Sequence, residues 1–355
     1  MFNSQITDIK EYLEKYKPEY LEPKSKILIT GATGLIGSTL AIYLLLQEKG
    51  YDIVCPVRRI EKANGIYGEL KDRIRFVECD VMEYLSNLSE HFDYIVHCAS
   101  PTSGQYMVEY PSETYEFITN SMQALLHYAR REHVKGILYI SSIEYYGQND
   151  NDMYISEDFV GYIDPNSRRS SYPLAKRAAE YLCTVYAKEY GINVMTARLT
   201  QTFGVGVQPT DNRVFAQFAR SIIEKEDIVL YTTGESSKPY CYTTDCIAAI
   251  IRILLSGEKG EAYNVANQDT YISIKELANF MVENFCNDIN VRMDIQEEKG
   301  YAPATRINMS AYKLMKLGWR PMYGLKEMFE RLINSLRERT GGGGVKPYIQ
   351  NISKI

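Results

Sequence analysis

A chain of 355 residues, 45% hydrophobic and 24% charged, can bury a large core and is long enough for two lobes. Its net charge of −5 carries no basic surplus for nucleic acid, and its longest apolar run, at residues 40–46, is too short to span a bilayer. Seven cysteines without a C-x-x-C pair argue for reduced thiols in a cytoplasmic protein, four histidines show no metal-ligand spacing, and the first residues lack the layout of a secretory leader.

In chain order, residues 1–23 place Ile6, Ile9, Leu13 and Tyr16 at helical spacing and close on Pro18 and Pro23. This predicts a helix lying on the surface ahead of the fold, as scaffolding only. Lys26–Thr30 reads as a strand and Leu35–Leu46 as a helix, with Gly31, Gly34 and Gly37 at the join. Further strands are expected at Asp52–Val57, Ile74–Val77, Asp93–His97, Gly136–Ser141 and Ile192–Arg198, and long helices at Ser112–Arg131 and Tyr172–Tyr190. Strands alternating with helices make an α/β protein with a parallel, doubly wound sheet over residues 24–204. Beyond it the pattern loses regularity. Short strands at Ile228–Tyr231, Ala262–Val265 and Val291–Ile295 mix with helices at 245–256, 273–286 and 325–338. These predict a smaller mixed α/β lobe over 205–340, mainly for substrate, with later segments returning to the first. Residues 341–355 open on four glycines and read as a flexible tail.

The glycine triplet carries the first chemistry. Gly31 turns the chain out of its strand, Gly34 lets backbone approach a pyrophosphate, and Gly37 lets helix pack closely on sheet. The helix start then offers unpaired N–H groups to the anion. The second strand of a dinucleotide-binding unit normally closes on an acid that grips the ribose 2′-hydroxyl of NAD, but here Val57 is followed by Arg58 and Arg59. Guanidinium groups attract a 2′-phosphate, so NADP is favoured over NAD. Asp80, after the third strand, is placed either to reach the adenine edge or to cap the next element.

Tyr172 and Lys176 sit one helical turn apart and share a face. An ammonium beside a phenol stabilises phenolate, lowers the tyrosine pKa and fits it to exchange a proton with a hydroxyl or ketone near neutral pH. The same spacing recurs at Tyr20/Lys24, Tyr67/Lys71, Tyr271/Lys275 and Tyr312/Lys316, so spacing alone selects nothing. Context selects Tyr172, which follows a strand ending in Ser141 and Ser142, and strand C-termini in open α/β sheets are where ligands bind. Ser142 is expected to hydrogen-bond the reacting hydroxyl beside the tyrosine.

Together, Gly31/Gly34/Gly37, His97-Cys-Ala99-Ser100, Ser141-Ser-Ile-Glu-Tyr-Tyr-Gly147 and Tyr172/Lys176 resemble the extended short-chain dehydrogenase/reductases. More narrowly, over residues 25–335 they resemble the NAD-dependent epimerase/dehydratase family acting on nucleotide sugars. The resemblance implies a Rossmann domain with bound NAD or NADP. Its expected contacts are Gly31, Thr33, Gly34, Leu35, Ile36, Gly37, Arg58, Asp80, Val81, Ala99 and Ser100, with Tyr172 and Lys176. It also implies a C-terminal lobe gripping a nucleoside diphosphate sugar, and a homodimer built on helices 112–131 and 172–190. In such enzymes the tyrosine takes a proton from the sugar 4′-hydroxyl while the cofactor takes hydride from C4′. The pocket decides whether the resulting 4-ketone is epimerised, dehydrated or decarboxylated.

The His97–Ser103 segment is similar to the one with which UDP-glucuronate decarboxylases open their active-site loop, bringing Ser100 and Thr102 toward substrate. Glu144 matches the carboxylate that decarboxylases and dehydratases both carry, there to orient the substrate or deprotonate C5. Departures matter as much. Ile143 stands where many glucose dehydratases place Asp, which weakens dehydration. Gln201 replaces the asparagine of the family's Arg-x-x-Asn-x-Tyr-Gly segment, and Lys238 replaces the arginine that commonly meets the diphosphate. A lysine keeps the charge and loses the fork, so Arg213 and Arg306 are candidate substitutes. Two other readings stay open: an NADPH-dependent reductase of a keto sugar or other carbonyl, and a non-catalytic cofactor-sensing binding protein.

Overall fold

The computed structural model describes residues 2–295 and 304–340. It begins with α1 (Phe2–Tyr16), β1 (Lys26–Thr30), α2 (Leu35–Leu46), β2 (Asp52–Val57), α3 (Ile60–Tyr67), β3 (Arg75–Glu78), α4 (Val81–Ser86) and β4 (Tyr94–His97). There follow α5 (Gly104–Glu109), α6 (Pro111–Ala129), β5 (Gly136–Ser142), β6 (Tyr154–Ile155), α7 (Ser171–Tyr190), β7 (Val194–Leu199), β8 (Gln201–Phe203) and α8 (Val214–Glu224). The remainder comprises β9 (Ile228–Leu230), β10 (Ser237–Tyr242), α9 (Thr243–Ser256), β11 (Ala262–Val265), β12 (Asn267–Ser273) and α10 (Ile274–Phe285). It closes with β13 (Val291–Met293), β14 (Asn308–Met309), α11 (Tyr312–Lys316) and α12 (Leu325–Thr340).

Seven strands form one parallel sheet in the order β3-β2-β1-β4-β5-β7-β11. Successive side chains of a strand face opposite layers, and β1 shows it. Ile27 and Ile29 pack with α2, α3 and α9, whereas Leu28 packs with α4, α6 and α7. Burial on both faces explains why these strands read as nearly continuous apolar runs. Strand order reverses between β1 and β4, the switch point beyond whose C-terminal ends ligands bind in open α/β sheets.

Two placements differ from the expectation. The helix at 245–256 and the strand at 262–265, grouped above with the second lobe, belong to the first: β11 pairs with β7 and α9 packs against β5 and β7. A short apolar run carries no sign of which sheet it joins. Nor is α1 scaffolding alone: its outer face is exposed, but its inner face joins the core. Ile9 and Tyr12 are buried in the same core as α2, and Gln5 Nε2 donates to Thr39 Oγ1 of α2 at 2.9 Å. The buried Asp8 carboxylate accepts from the Tyr242 hydroxyl and from Arg331 Nη1, each at 2.8 Å. Helical spacing marks an apolar face without saying what covers it.

In the second lobe β10 pairs in parallel with β8 and antiparallel with β12, and two short parallel pairs, β13/β9 and β14/β6, flank this sheet. The tail expected at 341–355 lies outside the described residues. Among the described residues no helix is long and apolar enough to cross a membrane.

Candidate active site

The turn after β1 shows why glycine is required. Gly31 adopts φ +70°, and a Cβ there would lie 2.7 Å from the Ala99 backbone nitrogen. A Cβ on Gly37 would lie 2.5 Å from the Gly31 carbonyl oxygen, so α2 could not seat on the turn. Thr33, Leu35 and Ile36 are half-buried around an exposed Gly34, and no side chain caps the start of α2. A backbone cradle with free helix N–H groups fits the pyrophosphate of a dinucleotide.

The neighbouring strand end is pinned by a buried relay. Thr30 Oγ1 accepts from the Ala99 N–H at 3.1 Å and pairs with His97 Nδ1 at 2.8 Å, while His97 Nε2 pairs with Ser121 Oγ at 3.0 Å. Burial, with the charge of Lys176, pushes the His97 pKa down to about 3, so the imidazole stays neutral. The relay fixes Cys98, Ala99 and Ser100 at the mouth of the cleft. Thr102 lies exposed beyond them.

Ser142 ends β5 and Tyr172 is the second residue of α7, both over the C-terminal edge of the sheet. The side chains of Ser142 and Ser100 lie against the Tyr172 hydroxyl. Lys176 is 2% exposed; its Nζ donates to the Ile140 carbonyl at 2.8 Å and sits 4.7 Å from the Tyr139 ring centre and 5.4 Å from that of Tyr172. The four residues Ser100, Ser142, Tyr172 and Lys176 therefore converge. The acidified phenol expected from the sequence does not follow from them alone. Burial, then the Glu144 charge, raise the Tyr172 pKa, outweighing Ser142, Arg169 and Ser100. Burial also lowers Lys176 to about 8. The reason is desolvation: both groups are buried, and Lys176 gives its hydrogen bond to the Ile140 carbonyl while facing the ring of Tyr172.

Glu144 lies just past Ser142, with Oε1 2.8 Å from Arg169 Nη2. Both are about one-third exposed. Lys238 on β10 joins them: burial lowers its pKa, with Glu144 opposing and Arg169 adding to the shift. Arg169 has no motif to mark it, and only its place three residues before Tyr172 could have drawn attention.

Other candidates are scattered or engaged. Register pairs Gln201 of β8 with Tyr240 of β10, two residues from Lys238. Arg306 bridges to Ser237 and meets Asp152 at 3.1 Å, which places it beside Lys238 in the chain fold. Arg213 precedes α8 with its guanidinium gripped by Asp211 at 2.6 Å. Asp80 does what a strand-end acid often does: its Oδ1 accepts from the N–H groups of Met82 and Glu83, capping α4 ahead of the buried Val81. Arg58 and Arg59 are exposed at the end of β2. Glu78 beside them, missed from the sequence, accepts from the Ile60 N–H at 2.8 Å. A surface cavity of about 350 Å³ is lined by Arg75, Cys79 and Tyr84 and by none of Ser142, Tyr172 or Lys176.

Comparison with known proteins agrees with this geometry. The model of the NAD dependent epimerase/dehydratase family matches residues 27–266. UDP-glucuronic acid decarboxylase 1 of Xenopus tropicalis is 26% identical over 93% of this chain and 77% of its own length. The structure of UDP-glucuronic acid 4-epimerase from Bacillus cereus, in complex with UDP-glucuronic acid and NAD, superposes with a TM-score of 0.76 at 21% identity, covering 88% of this chain and 99% of that one. RMD from Pseudomonas aeruginosa, complexed with NADPH, gives a TM-score of 0.71 at 22% identity, covering 89% and 99%. The two structural likenesses establish the fold.

Proposed function

From the premise that this chain belongs to the NAD dependent epimerase/dehydratase family, we propose that it converts a nucleoside diphosphate hexuronate by redox-neutral decarboxylation through a 4-keto sugar. One observation carries the choice of substrate. Two cations, Arg169 and Lys238, gather around Glu144 at the edge of the Ser142/Tyr172 site, where they can balance a second carboxylate. The relatives named for UDP-glucuronic acid support the same class.

When bound, NAD or NADP supplies reversible hydride exchange at C4′ of the sugar. The protein's residues do the rest. Ser142 hydrogen-bonds the 4′-hydroxyl and Tyr172 takes its proton as C4′ becomes a ketone. The Lys176 ammonium, within the same buried pocket, stabilises the phenolate once the hydroxyl partners of Tyr172 turn to substrate. Arg169 and Lys238, oriented by Glu144, hold the C6 carboxylate out of the ring plane. Being β to the ketone, it leaves as carbon dioxide: the C5–C6 bond breaks, its electron pair becomes an enolate on the C4′ oxygen, and C5 then takes a proton.

The named 4-epimerase favours a second outcome, in which the carboxylate is kept and only C4′ inverts. Incubation with UDP-glucuronic acid carrying ¹³C at C6 separates the two. Labelled carbon dioxide with a pentose product supports decarboxylation, label retained in an isomeric uronate supports epimerisation, and an unchanged substrate contradicts both. Arg58 and Arg59 favour NADP, and Glu78 at the α3 N–H opposes a 2′-phosphate, so the preference is modest. Two features bear on the setting. The unpaired thiols of all seven cysteines suit a reducing cytoplasm, and the exposed faces of α6 and α7 suit a homodimer.

A further inference from the structure

One carboxylate near the proposed proton-transfer pair stands outside the machinery described so far. Tyr172, Lys176 and Glu180 follow one another at single-turn intervals on α7 and form one inward stripe. Glu180 is 5% exposed. Its Oε1 accepts from the Ser141 hydroxyl, and its Oε2 accepts from Arg198 Nε at 2.9 Å and Nη2 at 2.8 Å. Arg198 is itself immobilised: Nη1 donates to the Glu157 carbonyl at 2.6 Å and the Tyr146 hydroxyl at 3.0 Å, and its guanidinium carbon lies 3.5 Å from the Tyr145 ring centre. Three consecutive residues of β5 thus engage the three members of the stripe. Ile140 holds Lys176, Ser141 holds Glu180 and Ser142 faces Tyr172.

We propose that Glu180 is a positioning residue which, clamped by Ser141 and Arg198, keeps Lys176 in its ammonium form and in register with Tyr172. The inference rests on the reading of Tyr172 and Lys176 as the proton-transfer pair. Its physics is that a buried ammonium sheds its proton unless a fixed anion opposes desolvation. The groups that face Lys176 can be enumerated. Its own helix supplies Tyr172, Glu180 and Cys183; β5 supplies the Tyr139 ring; the end of β4 supplies His97 and Cys98; and Glu144 lies past β5. His97 is neutral, and burial keeps both thiols protonated. Glu144 is about one-third exposed and turned to Arg169. Glu180 remains as the buried carboxylate, and it gives the largest opposition to the desolvation of Lys176.

The test is an NMR titration of the full-length protein, as purified with its cofactor, labelled with [ε-¹³C]lysine. The Lys176 resonance is assigned by its loss in Lys176→Arg. The parent midpoint is expected at about 8, and Glu180→Gln is expected to move it about one unit lower. Because Glu180→Gln leaves the Arg198 fork against an amide, a Glu180→Leu/Arg198→Met double variant removes both charges and keeps a folded protein in hand. It is expected to show a smaller fall in the same direction, since the Arg198 cation goes with it, and Glu180→Asp to restore the parent value. At pH 7 a one-unit fall leaves about half of Lys176 as ammonium, so kcat in Glu180→Gln should fall by about twofold there and by about tenfold near pH 9, with KM little changed. A folded double variant with an unmoved midpoint would reduce Glu180 to a structural brace and overturn the proposal. The titration needs no substrate, so failure of the hexuronate reading would leave its outcome untouched.

Discussion

Tyr172 and Lys176 share one liability, since burial disfavours the charged form of each. The phenol is buried and raised, and the ammonium is buried and lowered to about 8, so the two are poised to meet only when charge enters the cleft. Replacing Tyr172 by Phe is therefore expected to cost ~10²–10⁴-fold in kcat while cofactor stays bound, a split read by steady-state kinetics and by cofactor fluorescence. At the adenine end, Arg58→Ala should weaken NADPH by about fivefold and leave NADH nearly unchanged, because the exposed guanidinium acts only on the extra phosphate. Equal loss for both cofactors would remove Arg58 from the site. Residues that act through local spacing or a strand end, such as Ser142, Tyr172 and the glycines, were legible in the sequence. Arg169, Glu78 and the His97 relay were not, since each acquires its meaning from a partner brought close only by folding: Glu144, Ile60 and Thr30.

Among the elements, α1 departs furthest from expectation and so makes the sharpest prediction. Asp8 is raised to about 6, chiefly by burial, and Asp245, which anchors the N–H groups of Met322 and Tyr323, is raised to about 7 for the same reason. An acid whose folded pKa exceeds its unfolded value, near 3.8, binds an extra proton in the native state. Its contribution is full at low pH and is lost as pH rises through the folded value. His97, lowered to about 3, works the other way and destabilises as pH falls below about 6.5. The stability difference between the parent and Asp8→Asn isolates the first effect. It should shrink in the parent's disfavour between about pH 4 and 6, by urea unfolding, and a pH-independent difference would contradict the raised carboxyl. Asp8→Ala should cost about 1–3 kcal/mol by leaving the buried Tyr242 hydroxyl without its acceptor. Helix existence was plain from the sequence because the period is local. That α1, α9 and β11 belong to the main body was not, because nothing local encodes which surface an amphipathic face will cover.

At the scale of the molecule, α6 and α7 lie side by side and leave Tyr115 and Tyr181 exposed, 40% and 67% respectively. A second copy of this chain is the proposed cover, and Tyr181→Lys should shift the protein from dimer to monomer in light scattering. The sheet, the cradle and the serine–tyrosine–lysine cluster would persist in that monomer, since each is built within one chain. What the whole arrangement is proposed to do is return its cofactor unchanged while removing one carbon from a uronate. The most direct measurement follows C6-labelled UDP-glucuronic acid and the nicotinamide absorbance together, without added NADPH. The account predicts many molecules of labelled carbon dioxide per enzyme with no net change in reduced cofactor. Carbon dioxide release matched one-for-one by accumulation or loss of reduced cofactor, or no release at all, would contradict it.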